Sequence, residues 1–203
     1  MSLFSFEDEN KIKRPMTPYM KGDKSKQFVP VNNEKDKIYT PEETAIKIIN
    51  KIDELYNLQG IILDPCKGPG AFYNNFPDKC QKDYCEIDEG KDFFKYNKKV
   101  DFVISNPPYS IFNEFLTHPM EICDNIVYLI PVNKLTSSAS RVGRLHNWGG
   151  IPLLYFFTSS ETNFPFGFST AAVYFKKGYK GDIHCEFSDG YAKIFNNTDN
   201  QKW

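Results

Sequence analysis

The chain has 203 residues, which is enough for one sizeable α/β core and too few for two. Its net charge of −1 gives no overall indication of a nucleic-acid partner, and no run approaches the length of an apolar transmembrane helix. Residues 1–7 lack the pattern of a secretory signal, and the five cysteines stand singly along the chain. We therefore expect a cytoplasmic protein with reduced thiols, without a disulfide framework, a bound metal or a membrane partner.

The first 37 residues differ in composition from the rest of the chain. Residues 1–37 mix Lys, Asp, Asn and Pro without a sustained period, which predicts a tail or a loose cover. From Pro41 onwards apolar side chains recur at helical spacing, at Ala45, Ile46, Ile49 and Ile52. Thr40 is placed to cap this helix, with Pro41 at its first position and Glu43 completing a capping box.

The first predicted strand, residues 60–64, leads into a glycine-rich turn. Gly68 and Gly70 let the backbone turn tightly and approach a ligand where a β-carbon would clash. Asp64 ends the strand, where its carboxylate is able to accept a hydrogen bond from an amino group of that ligand. Cys66 lies within the turn and is predicted to form a wall of the same pocket.

The second predicted strand, residues 83–87, ends in an acidic side chain. Glu86 follows the glycine-rich turn at the spacing of about 20 residues that is typical of a ribose-hydroxyl acceptor in nucleoside-binding β-α-β units. Asp92 then offers a carboxylate for the amine of a base, and Phe93 and Phe94 offer rings that can stack on it. The order of these features predicts a nucleoside site.

The third predicted strand, residues 100–105, leads into the most informative motif of the chain, Asn106-Pro107-Pro108-Tyr109. The prolines fix their own φ and keep the preceding residue extended, so the chain leaves the strand in one stiff shape. Such a turn can aim the Asn106 carboxamide oxygen, the Pro107 carbonyl and the Tyr109 ring at one point. Two acceptors beside a ring face suit a planar exocyclic amine, as in methylation of an amino nitrogen. The alternative is a proline-rich turn that only caps the strand.

The segment after the fourth predicted strand, residues 125–130, is basic. Residues 125–160 contain no Asp or Glu, while Lys134, Arg141 and Arg144 lie among them. We expect this long basic connection to contact phosphates. The alternative is a solvated helix that happens to be basic.

Two closing strands are predicted at residues 151–157 and 169–175, paired as a hairpin. The loop between them contains Phe164 and Phe166 and is too aromatic for an ordinary exposed loop. The alternative is a loop folded back onto the core. Residues 181–203 carry no pattern that predicts structure or function.

The motifs between residues 38 and 176 together resemble the S-adenosylmethionine-dependent amino methyltransferases, especially the N6-adenine DNA methyltransferases. The resemblance implies S-adenosylmethionine as the cofactor, with binding residues at Tyr39, Thr40, Pro41, Asp64, Pro65, Gly68, Gly70, Phe72, Glu86, Asp92 and Phe93. It implies a catalytic turn at Asn106, Pro107, Pro108 and Tyr109. It also implies that the 39–41 segment closes over the methionine end of the cofactor, and that Phe164 or Phe166 sets an aromatic edge against the target base.

The resemblance implies a Rossmann-like class I methyltransferase fold, with a mostly parallel sheet and an antiparallel C-terminal hairpin at its edge. The expected organisation is a tail at 1–37, a catalytic domain at 38–180 with a basic insertion at 132–150, and an extension of unknown role at 181–203. Most members of the family carry an additional target-recognition domain, for which this chain has no room. A short target sequence, a homodimer or a specificity partner is therefore expected.

The predicted function is methyl transfer to the N6 amine of adenine in DNA, with Lys134, Arg141, Arg144, Phe164 and Phe166 contacting the substrate. The same Asn-Pro-Pro-Tyr turn also fits enzymes that methylate adenine or guanine amines in structured RNA, or a glutamine side chain of a protein. A silent subunit that only supplies binding surface is a further alternative. The aromatic loop and the basic stretch favour a nucleic acid over a protein amide.

Overall fold

A mixed sheet of seven strands organises residues 38–164 and 169–196, the part of the chain described by this computed structural model. The strands are β1 (Ile61–Asp64), β2 (Gln81–Tyr84), β3 (Phe102–Ser105), β4 (Asn125–Pro131), β5 (Gly149–Phe157), β6 (Thr170–Lys177) and β7 (His184–Phe187). The helices are α1 (Glu42–Tyr56), α2 (Phe112–Thr117), α3 (Pro119–Ile122), α4 (Asn133–Thr136), α5 (Ala139–Trp148), α6 (Ser159–Thr162) and α7 (Asp189–Asn196). The predictions made for residues 1–37 and for Phe166 lie outside the described residues.

The strand order, β2-β1-β3-β4-β6-β5-β7, creates a crevice at the ends of β1 and β3. The first four strands are parallel, so their carboxyl ends meet at one edge of the sheet. The chain moves from β1 outwards to β2, then returns to the other side of β1 to form β3 and β4. In open α/β sheets ligands bind where the strand order reverses in this way. The order therefore places a binding crevice between Asp64 and Ser105.

The strands alternate their side chains between two apolar cores, one on each face of the sheet. Along β4, Val127 and Leu129 belong to the core beneath α1, whereas Ile126, Tyr128 and Ile130 belong to the opposite core. The helix α1 buries a stripe at helical spacing, formed by Thr44, Ala45, Ile48, Ile49 and Ile52. The opposite core packs on α2, α3 and α5. Because both faces of the central strands are buried, the sequences of these strands are continuous apolar runs.

The structure confirms the predicted α/β class and the mostly parallel sheet with an antiparallel hairpin, because β5 and β6 pair antiparallel. One detail differs from the predictions. The hairpin lies within the sheet, since β6 pairs with β4 and β5 pairs in parallel with an unpredicted edge strand, β7. The basic 132–150 connection forms α4 and α5, which agrees with the helical alternative.

A partly buried carboxylate, Glu161, fixes the elements that lead towards the crevice. It accepts hydrogen bonds from Lys47 on α1, from Thr158 in a capping box at the start of α6, and from Ser188 just before α7. Burial raises the pKa of Glu161, but these hydrogen bonds outweigh it and lower the pKa to about 2. The carboxylate therefore stays ionised and holds α6 against α1, immediately before Phe164.

Candidate active site

Three side chains join β1 to β3 at the bottom of the crevice. Ser105 donates a hydrogen bond to Asp64 Oδ1 at 2.7 Å, and the Cys66 backbone N–H donates to the same oxygen at 3.3 Å. The Cys66 sulfur lies 3.1 Å from the Ser105 hydroxyl and 3.3 Å from the Asn106 carbonyl oxygen. The glycine-rich turn and the Asn-Pro-Pro-Tyr turn, far apart in sequence, are therefore bonded to one another.

Asp64 has an unused oxygen. Its side chain is buried, and Oδ2 has no hydrogen-bond partner among the described residues. Burial raises the pKa of this carboxyl to about 7, against the opposing effect of the Ser105 hydroxyl and of the Cys66 and Tyr73 backbone N–H groups. A buried polar atom without a partner is costly unless a ligand satisfies it. Asp64 therefore fits a ligand that brings a hydrogen-bond donor, above all a cationic one.

The thiol of Cys66 is not set up as a nucleophile. Burial, and then the neighbouring Asp64, raise the pKa of this thiol well above its usual value. A thiolate is the nucleophilic form of cysteine, so the neutral thiol is the form expected here. Cys66 is placed as a wall of the crevice, as the sequence suggested.

The glycine-rich turn has the backbone shape that its sequence predicts. Gly68 and Gly70 have φ values of +51° and +98°, which side chains rarely allow. A β-carbon at Gly68 would lie 3.4 Å from the ring of Tyr39, so that ring covers the turn. Glu86 accepts a hydrogen bond from the Gly68 N–H at 2.6 Å, which anchors the turn to the end of β2. Since an ionised carboxylate accepts about four hydrogen bonds, Glu86 still has capacity for a ligand hydroxyl.

The segment before α1 does not cap the helix as predicted. The N-cap residue is Pro41, without a side-chain hydrogen bond, and α1 begins at Glu42. The Thr40 hydroxyl is instead buried with no partner among the described residues. The capping interpretation of Thr40 is thus corrected. Its hydroxyl, like Asp64 Oδ2, is a buried polar atom that a ligand can satisfy.

The Asn-Pro-Pro-Tyr turn is held by its own side chains. Asn106 donates a hydrogen bond from Nδ2 to the Ile38 carbonyl at 3.0 Å and accepts one at Oδ1 from the Tyr109 hydroxyl at 2.5 Å. The Tyr109 hydroxyl also lies 3.3 Å from the Leu129 carbonyl. These bonds fix the carboxamide between the 38–41 segment and the rest of the Asn-Pro-Pro-Tyr turn. A second lone pair on Oδ1 allows it to accept from a further donor.

The aromatic residue before β6 reaches the same turn. Phe164 is buried and stacks on the Tyr109 ring, with centroids 5.6 Å apart and planes 29° from parallel. The two rings form an apolar wall beside Asn106. The structure therefore brings Phe164 to the site, and it shows Phe164 packed against the core as well.

Three predicted cofactor residues have mainly structural surroundings, and their contact with the cofactor stays a prediction. Phe72 is buried in the core beneath α1, and Phe93 is buried in the opposite core against Phe115. Asp92 accepts a hydrogen bond from the Phe94 N–H and caps a short helical turn. Pro65 is also buried. The position of a residue just after a strand predicts that it lies near the crevice. Whether its side chain is buried depends on which way the chain turns there.

The basic segment divides into two kinds of residue. Lys134 donates to the Tyr109 carbonyl at 3.2 Å and is half-buried, and Arg144 donates to the Thr117 hydroxyl. Arg141 is buried: it donates to Asn113 at 2.9 Å and to the Lys134 carbonyl, and its guanidinium lies over the Phe112 ring. Burial, and then Arg144, lower the pKa of Arg141. We therefore assign Arg141 a structural role, and it is not retained as a phosphate contact.

Two residues at the site were not predicted. Ser105 connects Asp64 to Cys66, and the only indication in the sequence is a hydroxyl at the last position of an apolar strand. Ile87 directly follows Glu86 and its side chain is 54% exposed, although isoleucine is usually buried. An exposed apolar side chain between Glu86 and Asp88 offers a surface on which a nucleobase can pack. Both require the tertiary structure to be recognised.

Within residues 38–164 and 169–196, no helix is long and apolar enough to cross a membrane. No group of three or more His, Cys, Asp or Glu side chains in the same residues is arranged to hold a metal ion.

Comparisons with known proteins agree on the fold. No protein-family model matches the chain, and no curated protein matches its sequence. A structure from Listeria monocytogenes, assigned as a class I S-adenosylmethionine-dependent methyltransferase, aligns with a TM-score of 0.53 and 11% identity, over 79% of this chain and 71% of that one. A structure from Pyrococcus horikoshii, assigned as an RNA methyltransferase, aligns with a TM-score of 0.51 and 16% identity, over 69% and 87%.

A third similar structure is the methyltransferase subunit of a type I restriction-modification system from Streptococcus thermophilus. It aligns with a TM-score of 0.54 and 14% identity over 81% of this chain, which spans about half (53%) of that subunit. At these identities the similarity concerns the fold, because sites are grafted onto folds independently. The chain has the class I methyltransferase fold.

Proposed function

We propose that this protein is an S-adenosylmethionine-dependent methyltransferase that methylates the N6 amine of adenine in DNA. One observation carries the proposal: the Asn106 carboxamide is hydrogen-bonded into the turn at the end of β3, and that turn is bonded through Ser105 and Cys66 to a buried carboxylate with an unused oxygen. This arrangement supports a site for a target amine beside a site that suits the hydrogen-bond donor of a second ligand. The class I methyltransferase fold supports the same assignment.

The residues around the glycine-rich turn fit S-adenosylmethionine. Asp64 Oδ2 and the Thr40 hydroxyl are buried polar atoms without partners among the described residues, and both suit the amino acid end of the cofactor. Glu86 suits the ribose hydroxyls, and the exposed Ile87 side chain suits the base. Gly68 leaves room beside Tyr39 that a β-carbon would narrow. When bound, the cofactor supplies an electrophilic methyl group on a sulfonium.

The Asn-Pro-Pro-Tyr turn suits the nucleophile. The N6 lone pair of adenine is delocalised into the ring, so the amine is a poor nucleophile. If Asn106 Oδ1 and the Pro107 carbonyl each accept one amine hydrogen, the nitrogen becomes pyramidal and its lone pair points at the methyl group. Methyl transfer to the nitrogen would then be direct and in line, without a covalent enzyme intermediate, and the nitrogen would afterwards lose one of its two hydrogens as a proton to water. Positioning of the two reacting centres supplies most of the catalysis.

A nucleic-acid target, DNA in our proposal, is supported by the surroundings of this turn. The Tyr109–Phe164 ring pair offers a stacking surface for an unpaired base. An adenine in a duplex must first be flipped out, which costs about a few kcal/mol that stacking offsets in part. Lys134 and Arg144 lie on the segment that follows β4, next to the turn, where a phosphate backbone is able to approach.

The proposal is tested by incubating the protein with labelled S-adenosylmethionine and, in parallel, unmethylated DNA, unmodified RNA and cell-extract protein. We expect label in DNA, recovered as N6-methyladenine by mass spectrometry. Label only in RNA would support the structured-RNA alternative, and label only in protein the glutamine alternative. No label in any substrate, with a folded protein that binds the cofactor, would contradict enzymatic activity and favour a silent subunit.

Replacing Glu86 by alanine is expected to weaken cofactor binding. The change removes a charge-assisted acceptor and the anchor of the Gly68 N–H, so calorimetry with S-adenosylhomocysteine should show a loss of roughly 1.5–3 kcal/mol. The matched control is Glu54→Ala, because Glu54 is exposed on α1 and pairs with Lys51. Equal losses in both variants would mean that only the overall charge of the protein matters.

Neutralising Lys134 and Arg144 together is expected to reduce the salt dependence of DNA binding. Removing one phosphate interaction flattens the slope of log affinity against log salt by about 0.9 on duplex DNA. The measurement is a salt titration of duplex binding. Lys176→Gln is the control. Lys176 is exposed and pairs with Asn125 at the amino end of β4, away from the carboxyl ends of the strands where the crevice lies.

Arg141→Gln separates a structural role from phosphate binding in this segment. We expect a lower free energy of unfolding, because the buried bonds to Asn113 and the Lys134 carbonyl are broken.

An unchanged salt slope in the Lys134 and Arg144 double variant would move recognition elsewhere, with the lysine-rich residues 1–37 as the next candidate.

A further inference from the structure

The last strand of the sheet, β7, is an edge strand. It pairs in parallel with β5 on one side, and no strand of the described chain pairs with its other side. The Ser188 N–H donates to the Phe156 carbonyl of β5. Because backbone groups alternate in direction along a strand, the N–H and C=O groups of residues 183, 185 and 187 point away from β5. Such an edge is a template for a further strand.

The side chains along this edge are exposed and patterned. Ile183 and Phe187 are 51% and 60% exposed, and Cys185 between them is an exposed free cysteine. These three alternate with His184 and Glu186, whose side chains meet at 2.9 Å on the other face of the strand. From residue 183 to residue 187 the side chains are therefore, in order, an apolar one, a histidine, a cysteine, an acidic one and a second apolar one.

We propose that β7 pairs with β7 of a second copy of this chain, antiparallel, about a two-fold axis at Cys185. In this register Ile183 faces Phe187 of the second copy, and His184 faces Glu186. Cys185 faces its own equivalent. The outward backbone groups of residues 183, 185 and 187 then form the hydrogen-bonded pairs of an antiparallel ladder. An interface about a two-fold axis must be self-complementary. Residues 183–187 meet this requirement in the proposed register.

The neighbouring registers are excluded by charge. An axis at His184 would set Asp182 against Glu186, and an axis at Glu186 would set that carboxylate against itself. Like charges directly opposite one another destabilise a strand pair, whereas opposite charges stabilise it. The axis at Cys185 sets each Glu186 carboxylate opposite a His184 ring, whose N–H can donate a hydrogen bond to it, and sets apolar side chains opposite one another. It also leaves the crevice free, because β7 and the β1–β3 crevice lie in different parts of the strand order.

Sedimentation velocity on the full chain tests the proposal. The wild type is expected to be a dimer at micromolar concentration. Glu186→Lys should raise the dimer dissociation constant by at least about tenfold, because it removes both carboxylates and sets positive charges beside the histidines. The charge swap H184E/E186K should restore the dimer. Circular dichroism and cofactor binding control for folding, since these residues lie outside the proposed active site.

Cross-linking gives a second, independent readout of the register. In a hydrogen-bonded antiparallel pair the Cα atoms lie about 5.5 Å apart, within the range a disulfide requires. Mild oxidation with diamide should therefore give a covalent dimer in the wild type. Cys185→Ser should abolish the covalent dimer while keeping the sedimenting one. A monomeric wild type, an E186K variant as dimeric as the wild type, or cross-linking that survives Cys185→Ser would overturn the proposal.

Discussion

Replacing Asn106 by alanine is expected to lower turnover by about 10²–10³ while cofactor affinity stays nearly unchanged. The carboxamide oxygen is proposed to accept an amine hydrogen as the nitrogen becomes pyramidal, an interaction that strengthens only in the transition state. The carboxamide side chain is bonded to the Ile38 carbonyl and the Tyr109 hydroxyl and not to the glycine-rich turn, so the change in cofactor affinity is limited to the loss of the Ile38 bond beside Tyr39. Single-turnover rates with methyl-accepting DNA, together with calorimetry, measure the two effects separately.

Tyr109 variants provide the matched control for this result. Tyr109→Phe removes the 2.5 Å hydrogen bond to Asn106 but keeps the ring, so much of the activity should remain. Tyr109→Ala removes the ring and should cost roughly 1–3 kcal/mol of base stacking. If Asn106→Ala and Tyr109→Phe lower turnover equally, Asn106 acts by holding the turn. Full activity of Tyr109→Ala would show that the base does not bind beside this ring.

Replacing Asp64 by asparagine is expected to stabilise the fold and impair cofactor binding. Burial raises the pKa of Asp64 from 3.8 to about 7, so the folded state prefers the neutral carboxyl. The free energy of unfolding therefore falls as pH rises from about 4 to 7, and the cost, up to about 4 kcal/mol, is complete above pH 7. Asparagine removes this cost, so its stabilising effect should be largest at about pH 8 and vanish below about pH 4.

The same substitution removes the acceptor proposed for the amino group of the cofactor. Affinity for S-adenosylhomocysteine should fall by roughly 1.5–3 kcal/mol. Thermal unfolding between about pH 4 and pH 8, and calorimetry at the upper end of that range, measure the two effects. Asp78→Asn is the control, because Asp78 is exposed and pairs with Lys82 at the surface. An Asp64→Asn protein that is less stable at high pH and binds the cofactor normally would show that Asp64 is only structural.

Local chemistry was sufficient to predict the elements of the crevice. The buried strands before Asp64 and Asn106 were recognisable as β-branched runs, because both faces of a central strand are covered. Gly68 and Gly70 predicted a turn with positive φ, and the structure has one, since only glycine adopts that backbone without strain. The residues of a stiff turn decide its shape largely by themselves, whatever packs around it.

The direction of individual side chains could not be predicted in this way. Arg141 and Arg144 carry the same charge one helical turn apart, yet Arg141 is buried against Asn113 and Phe112 while Arg144 is half-buried beside Thr117. Thr40 satisfied every local rule for a helix cap, but its hydroxyl makes no such bond. In both cases the contacts of the side chain depend on how its helix packs against elements that are distant in sequence. The residues next to it in the sequence do not determine that packing.

The sequence by itself determined the fold class, the order of the glycine-rich and Asn-Pro-Pro-Tyr turns, and the hairpin of β5 and β6. Only the tertiary structure decided that Ser105 bonds Asp64 to Cys66, that Phe164 stacks on Tyr109, and that β7 completes the sheet. Strand runs and turns are set by residues within a few positions of each other. Contacts between strands, and an edge strand held mainly by backbone bonds to β5, depend on residues that only folding brings together.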